Sequence, residues 1–329
     1  MIVLDCTFRD GGYYNEWNFD LNLVNTYLKV IEKSKIQAIE IGFRSPLSKA
    51  TGIYSNVGDS FIKDSLCKPN TKYFGVMINT GDFTPDLVKN LFSYSDKALI
   101  NMVRAATHFK DIIMAERILK ELKNLGYFVC INLMQAADKS FDEIKTVAQT
   151  IENWRCVDVL YLADSLGGMN QDSVNYAYKA IREGWNGLTG FHGHNNKSQA
   201  LDNSLEAIDI GVDFIDCTML GMGRGPGNTE TEYLLGELNK RGFGEFNLEP
   251  IYEFVLEYFY PMKKERGWGA SLLYYLSAEY NIHPTYVQTM IYDGLSDIKI
   301  LKILNILKNK KSTSFKKEEL EKLYDHPQE

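Results

Sequence analysis

Eight short runs of aliphatic, β-branched or aromatic residues recur along the chain, at 2–6, 38–43, 73–78, 98–103, 128–134, 157–163, 188–192 and 214–219. Segments with helical spacing lie between them. Two clear ones are 22–34 and 112–125, the latter apolar at Ile112, Ile113, Ala115, Ile118, Leu119 and Leu122. Alternation of this kind implies βα units and a parallel sheet. Eight units at intervals of about 25 to 40 residues favour a closed (β/α)8 barrel over an open doubly wound sheet. From about residue 247 the β signal fades and the chain turns helical at 251–260, 270–280 and 298–308, with Pro250, Pro261 and Pro284 as punctuation. The expected organisation is therefore α/β: a barrel domain over 1–245, followed by a C-terminal helical domain over 246–329. The charged stretch 308–329 reads as a solvated helix and a frayed end.

Composition narrows the class. The chain of 329 residues can bury a substantial core, and 45% hydrophobic with 24% charged residues is ordinary for a globular protein. A net charge of −7 argues against a nucleic-acid partner, which needs a clustered basic face. The five cysteines are scattered, with no C-x-x-C pair, so neither a disulfide framework nor a zinc ribbon is indicated. Asp5, Arg9 and Asp10 occupy the place where a signal peptide needs its apolar segment, and no run reaches the roughly 18 apolar residues of a membrane span. A soluble cytoplasmic protein with no membrane partner is expected.

In a parallel barrel, chemistry gathers at the C-terminal ends of the strands. Three features fall there. His192-Gly193-His194 ends the seventh run, and residues two apart in a strand project to one side, so both imidazoles can reach one cation. Asp10 follows the first run beside a glycine pair. The loop Gly221-Met222-Gly223-Arg224-Gly225-Pro226-Gly227-Asn228 follows the eighth. Closure makes strands seven, eight and one neighbours, so Asp10, His192 and His194 converge as candidate ligands for Mg, Mn, Co, Fe or Zn, with positions left for a bidentate substrate. The competing reading makes His192 a packed core residue and His194 a helix-cap contact.

Arg9 is a fixed cation suited to negative charge developing on a substrate oxygen. Glu40, at the end of the second strand, is its expected orienting partner, or else simple barrel packing. The glycine loop either brings backbone amides to an anionic substrate, with Asn228 offering its side-chain oxygen, or is a tight turn before a helix starting at Thr229. Asp164, after the sixth strand, is read as a substrate or water ligand or as a helix cap. Arg104 and His108 are placed after the fourth strand.

At these residues the chain resembles a known group. The motifs Asp5-x-Thr7-x-Arg9-Asp10-Gly11, Glu40-x-Gly42, Arg104 to His108, Ala163-Asp164-Ser165, His192-x-His194-Asn195-Asn196 and Gly221-Met222-Gly223 to Asn228 stand in order over roughly residues 1 to 240. They are similar to those of the metal-dependent pyruvate-aldolase and acyl-transferase superfamily. This superfamily includes 3-hydroxy-3-methylglutaryl-CoA lyase, isopropylmalate and homocitrate synthases, and 4-hydroxy-2-oxovalerate aldolase, the last being the nearest in pattern. The resemblance implies a TIM barrel with a divalent ion, usually Mn or Mg, held by Asp10, His192 and His194. It also implies cleavage or formation of a 4-hydroxy-2-oxo acid through a pyruvate enolate stabilised by the ion and Arg9. The substrates are then a 2-oxo acid and an aldehyde, with Arg104, Asp164, Arg224 and Asn228 as candidate substrate contacts. A homo-oligomer is expected, and an acylating aldehyde dehydrogenase is the partner that the resemblance implies.

Two departures stand out. The aldolases carry a histidine base two residues after Arg-Asp-Gly, where this chain has Tyr13. A phenol titrates near 10, so Tyr13 needs a pKa lowered by the metal or Arg9, or acts as a relay; His283 or a water on the metal are the other candidates for the proton transfer. The glycine-loop cysteine of the CoA lyase is also missing: Arg224-Gly225-Pro226 stands there and Cys217 lies earlier. An acyl-CoA condensing enzyme, or a catalytically inactive barrel serving as a binding subunit, remain the alternatives. The C-terminal helices, with Trp268, Tyr274 and Tyr275, are read as partner-docking domain, lid, dimer surface or packed core.

Overall fold

The computed structural model describes residues 1–46, 52–93, 96–310 and 312–325. Strands β1 (Ile2–Asp5), β2 (Ala38–Phe43), β3 (Tyr73–Asn79), β4 (Met102–His108), β5 (Phe128–Met134), β6 (Val159–Ala163), β7 (Leu188–His192) and β8 (Phe214–Cys217) pair in sequence order. β8 returns to β1, and the barrel is closed and parallel. The expected TIM-barrel fold is therefore present, and seven of the eight runs lie where the pattern put them. The exception is β4. The apolar stretch Ala98-Leu99-Ile100 precedes the strand, which begins at Met102 and continues through Arg104 and Thr107 to His108. A reading by hydrophobicity stops at the charge of Arg104, whereas the barrel accepts that charge because its interior supplies partners for it.

Alternation along the strands explains how. Leu4, Ala38, Met102, Cys130, Val159 and Phe214 point inward and form an apolar plug. Two residues further along four of these strands stand Glu40, Arg104, Asn132 and Asp216, all 3% exposed or less. Because side chains repeat with period two, one turn of the pleat converts an apolar layer into an ionic one directly above it.

The surrounding helices follow the amphipathic pattern. Leu21–Lys33 is capped by the Asp20 carboxylate, which accepts from the amides of Asn22 and Leu23. Ile112–Asn124 buries Ile112, Ala115, Ile118, Leu119 and Leu122 against the barrel.

The packing divides the chain later than residue 245. Helix Glu249–Phe254 continues through a π turn, Val255–Phe259, into Tyr260–Arg266, so Pro261 does not break it. Ile251, Phe254, Val255, Phe259 and Trp268 belong to the barrel's core. A second core begins only at Leu273 and ends at Leu323, built from helices Leu272–Glu279, Thr285–Tyr292, Asp297–Leu307 and Lys317–Asp325. Within 308–329, read as a solvated helix and a frayed end, Leu320 and Leu323 are buried in this core, and 326–329 lie outside the described residues. This second unit sits on the loops at the C-terminal face of the barrel. Gln288 donates to the Tyr13 carbonyl at 2.9 Å and accepts from the Gly225 amide at 3.1 Å, and Asn196 donates to the Tyr274 carbonyl at 3.3 Å. Among the described residues no helix is long and apolar enough to cross a membrane.

Candidate active site

His192 is the last residue of β7, and its ring bridges two carboxylates. Nδ1 lies 2.8 Å from Asp216 of β8, and Nε2 lies 3.4 Å from Asp10. Asp10 closes the single helical turn Thr7–Asp10 that follows β1. His194 stands two residues beyond β7, its ring centroid 5.1 Å from that of His192. Asp10, His192 and His194 each offer one ligand atom, all within 4.8 Å of one another. A second grouping, Cys6 with His192 and Asp216, is closed off, since Asp216 is already bound by His192 and by Arg104.

Below this cluster the ionic layer is continuous. Arg9 reaches Glu40 through Nε at 2.6 Å and Asp10 through Nη1 at 3.0 Å. Arg104 pairs with the same Glu40 oxygen at 3.2 Å and with Asp216, and its guanidinium lies 4.4 Å over the Tyr161 ring. Glu40 thus holds Arg9, as the sequence suggests, and also Arg104. Burial on its own raises a carboxyl's pKa, yet Arg9 and His192 hold Asp10 well below the usual range, and Arg104 and His192 do the same for Asp216. Burial disfavours the imidazolium of His192, but its bonds to Asp10 and Asp216 raise its pKa. His194 has no such pairing, and desolvation pushes it down.

Several expected contacts fall elsewhere. Arg104 lies within β4, fully buried, and lines neither cavity at the barrel mouth. It can brace the site but cannot touch a substrate. Asp164 is also fully buried. It accepts from the amides of Gly168 and Met169 at 3.0 and 3.2 Å, so it folds the loop after β6, while the cap of the next helix is Asn170. With no cation bonded to it, burial pushes Asp164 up to about 6.

The glycine loop does not present amides to the cavity through Gly221, Met222, Gly225, Gly227 or Asn228, because these are bonded elsewhere. Gly227 has φ +83°, and a Cβ there would stand 1.8 Å from the Gly221 carbonyl, so this tight loop requires glycine at that position. What it delivers is side chains. Asn228 donates to Asp10 at 2.6 Å, leaving its buried Oδ1 without a partner. Arg224 donates to the Ser165 carbonyl at 3.1 Å and stands 5.7 Å from the Tyr13 ring. The following helix begins at Thr231 rather than Thr229.

Tyr13 lines the mouth, and desolvation raises its phenol pKa despite Arg224 and Arg9. The lowering expected for a base does not occur. His283 also reaches the mouth, but burial pushes it down to about 2, far from the range of an efficient base. Trp268 and Tyr274 are 2% exposed core residues, while Tyr275 is half exposed and lines neither cavity.

Asp216 is the member of this cluster that the motif reading missed. Its signal was present: a carboxylate two places after Phe214 in a buried strand, in phase with the inward face and beside β7.

Two cavities share this mouth. The inner one, about 60 Å³, is lined by Arg9, Asp10, His192 and His194. The outer one, about 660 Å³, extends over β3, β4 and the C-terminal unit. Tyr13, Ser165 and Arg224 stand between them.

Fold and site define a (β/α)8 protein with a carboxylate–imidazole cluster on the catalytic face. Residues 1–254 match the HMGL-like family model, and the chain belongs to that family. A solved N-terminal domain of a putative aldolase from Bacteroides vulgatus is 31% identical, with a TM-score of 0.80 over 88% of this chain and 96% of that one. A 4-hydroxy-2-oxovalerate aldolase from Bacillus cereus is 27% identical over 73% of this chain and 70% of its own length. An oxaloacetate decarboxylase from Mycobacterium tuberculosis is 28% identical over 73% and 70%.

Proposed function

We propose that the protein is a divalent-metal-dependent carbon–carbon lyase of the aldolase type, joining pyruvate to an aldehyde or cleaving the resulting 4-hydroxy-2-oxo acid. The observation that carries this reading is the state of Arg9. Its Nε and Nη1 are committed to Glu40 and Asp10, while Nη2 is buried without a partner at the edge of the inner cavity. A fixed cation with one free donor suits a substrate oxygen that gains charge during reaction.

The donor set fits a divalent ion: one carboxylate and two imidazoles, with the orphaned Asn228 Oδ1 and His194 Nδ1 nearby. Asp10, His192 and His194 would hold it, and it would supply Lewis-acid polarisation of a 2-oxo acid. Mn or Mg is the reading from family likeness, with Zn or Co as alternatives. Asp216 fixes the His192 ring by taking Nδ1, which leaves Nε2 toward Asp10. Arg9 then stabilises the enolate oxygen, and Glu40 keeps the guanidinium in plane. Tyr13, whose phenol stays protonated, donates to the oxygen of the aldehyde carbonyl as the new bond forms. Arg224, on the wall of both cavities, would meet the oxo-acid carboxylate from the outer side.

Loss of carbon dioxide from oxaloacetate, the substrate in the mycobacterial relative's name, leaves the same enolate. The outer cavity favours an aldehyde partner, since decarboxylation needs no room there. Metal analysis of the purified protein combined with C3 deuterium exchange of pyruvate tests the proposal. Bound divalent ion and metal-dependent exchange are expected. Neither a stoichiometric ion nor exchange would leave an inactive binding barrel as the better description.

A further inference from the structure

The two cavities are built for ends of very different size. A cavity needs roughly 10–15 Å³ in this measure to hold one water. The inner space of about 60 Å³ thus suits a three-carbon oxo acid, whereas the outer space of about 660 Å³ is in the range used for whole cofactors or drug-sized ligands. A two-carbon aldehyde would leave the outer space almost entirely to water and would meet nothing that orients it.

The wall chemistry narrows the class. Asp82 and Asp111 supply carboxylates, Asn79 and Gln135 supply amides, and His108 and His283 supply imidazoles. Among the described lining residues the single Lys or Arg is Arg224, at the inner end, where it already holds the Ser165 carbonyl. Phosphates, as on coenzyme A or a phosphorylated sugar, would face two carboxylates with no cation at the far end. The amides retain free acceptors. Asn79 uses Nδ2 on Asp82 at 3.3 Å, and Gln135 uses Nε2 on the Thr313 carbonyl at 3.0 Å, so each keeps its side-chain oxygen. His283 accepts the Thr285 amide at Nδ1 at 3.3 Å. Set among the apolar side chains Phe83, Met114, Ile118 and Met134, these free acceptors call for a ligand that carries hydroxyl donors.

We infer that the aldehyde partner is an unphosphorylated polyhydroxylated aldehyde of about four to six carbons, its hydroxyls seated against Asp82, Gln135 and His283, so that the adduct is a 3-deoxy-2-oxo sugar acid. This inference rests on the aldolase reading above. The reaction balances without a redox step. The pyruvate methyl loses one proton, the electron pair left on C3 forms the bond to the carbonyl carbon, and the carbonyl oxygen gains one proton.

The test uses the metal-loaded full chain. Deuterium exchange of pyruvate is measured first, and then kcat/KM for addition to erythrose, erythrose 4-phosphate, acetaldehyde and aminoacetaldehyde. Erythrose is expected to exceed each of the others by about tenfold or more. Asp82→Asn and Gln135→Ala are each expected to shrink the erythrose-to-acetaldehyde ratio severalfold. Exchange together with a kcat/KM for acetaldehyde or erythrose 4-phosphate equal to or ahead of that for erythrose overturns the inference and leaves the aldolase reading standing; so does a lead for aminoacetaldehyde, which would assign the carboxylates to a cation. Absence of exchange removes the aldolase reading and this inference with it.

Discussion

The inner ionic layer and the outer cavity differ in how completely their polar groups are used. Within the layer, Arg9, Glu40, Arg104, Asp216, His192 and Asp10 form one chain of ion pairs on strands and the first loop. In the outer cavity Asn79 comes from the end of β3, Asp82 and Gln135 come from loops, and all three keep a side-chain oxygen free, while His283 comes from the C-terminal unit. A network in which each acid has a cation is rigid and intolerant of deletion, because removing one member leaves a buried charge. A wall with spare acceptors tolerates change and sets selectivity. Chemistry is thus expected to depend on the first region and substrate choice on the second.

The sharpest break of that contrast lies at the ligands. His192→Ala and Asp10→Ala are expected to lose bound divalent ion and to lower pyruvate exchange on the order of 10⁴-fold, about 5 kcal/mol in barrier. Arg9→Ala is expected to keep the ion and lose turnover. Elemental analysis beside the exchange assay separates the two, and unchanged exchange in all three variants would falsify the site.

Arg104→Met probes the layer without touching substrate. Leaving Glu40 and Asp216 short of a buried cation is expected to cost about 3–5 kcal/mol in urea unfolding, whereas Asp82→Asn, on the outer wall, should stay within about 0.5 kcal/mol. Equal effects would show that the layer is not a coupled unit.

How far the sequence revealed these regions follows from what each depends on. His192, His194, Asp10, Arg9 and Glu40 were legible because strand ends and period-two alternation are local patterns, and closure of the barrel then brings them together. Arg104 was mislocated and Asp216 passed over for a shared reason. A charged residue in a strand reads as the end of that strand unless its partner is known, and these two partner each other across 112 positions. The outer cavity was not legible at all, since it is the space between β3, β4 and a unit whose core starts at Leu273.

Glu232 gives a third term for the comparison, a buried acid without a bonded cation. It is 5% exposed, accepts the Leu220 amide at 3.1 Å and leaves Oε1 unpartnered. Burial pushes it up to about 7. Because the folded state favours the protonated form, its contribution is intact below the unfolded value near 4.5 and is lost as pH rises toward 7. Asp216 has the opposite sign: it is held below 3.8, so its contribution is present above that value and lost on acidification. Glu232→Gln is expected to raise stability at pH 8 by on the order of 2 kcal/mol and to flatten the decline between pH 5 and 7. Urea unfolding at both pH values checks it, and an unchanged slope would mean that Glu232 ionises freely in the fold.

Tyr13 stands on the wall common to both regions, and its variant separates enolisation from addition. If the phenol were the base, Tyr13→Phe would lower pyruvate exchange and aldol addition alike, because both need the methyl proton removed. Its pKa is raised rather than lowered, with desolvation at the cavity wall outweighing Arg224 and Arg9, so at neutral pH it holds its proton and can only donate. A donor to the aldehyde oxygen matters for addition and hardly for enolisation. Tyr13→Phe is therefore expected to lower aldol kcat/KM about tenfold more than it lowers exchange. Equal losses in the two assays would return Tyr13 to the inner region as the base and would place the proton transfer at the metal end of the site.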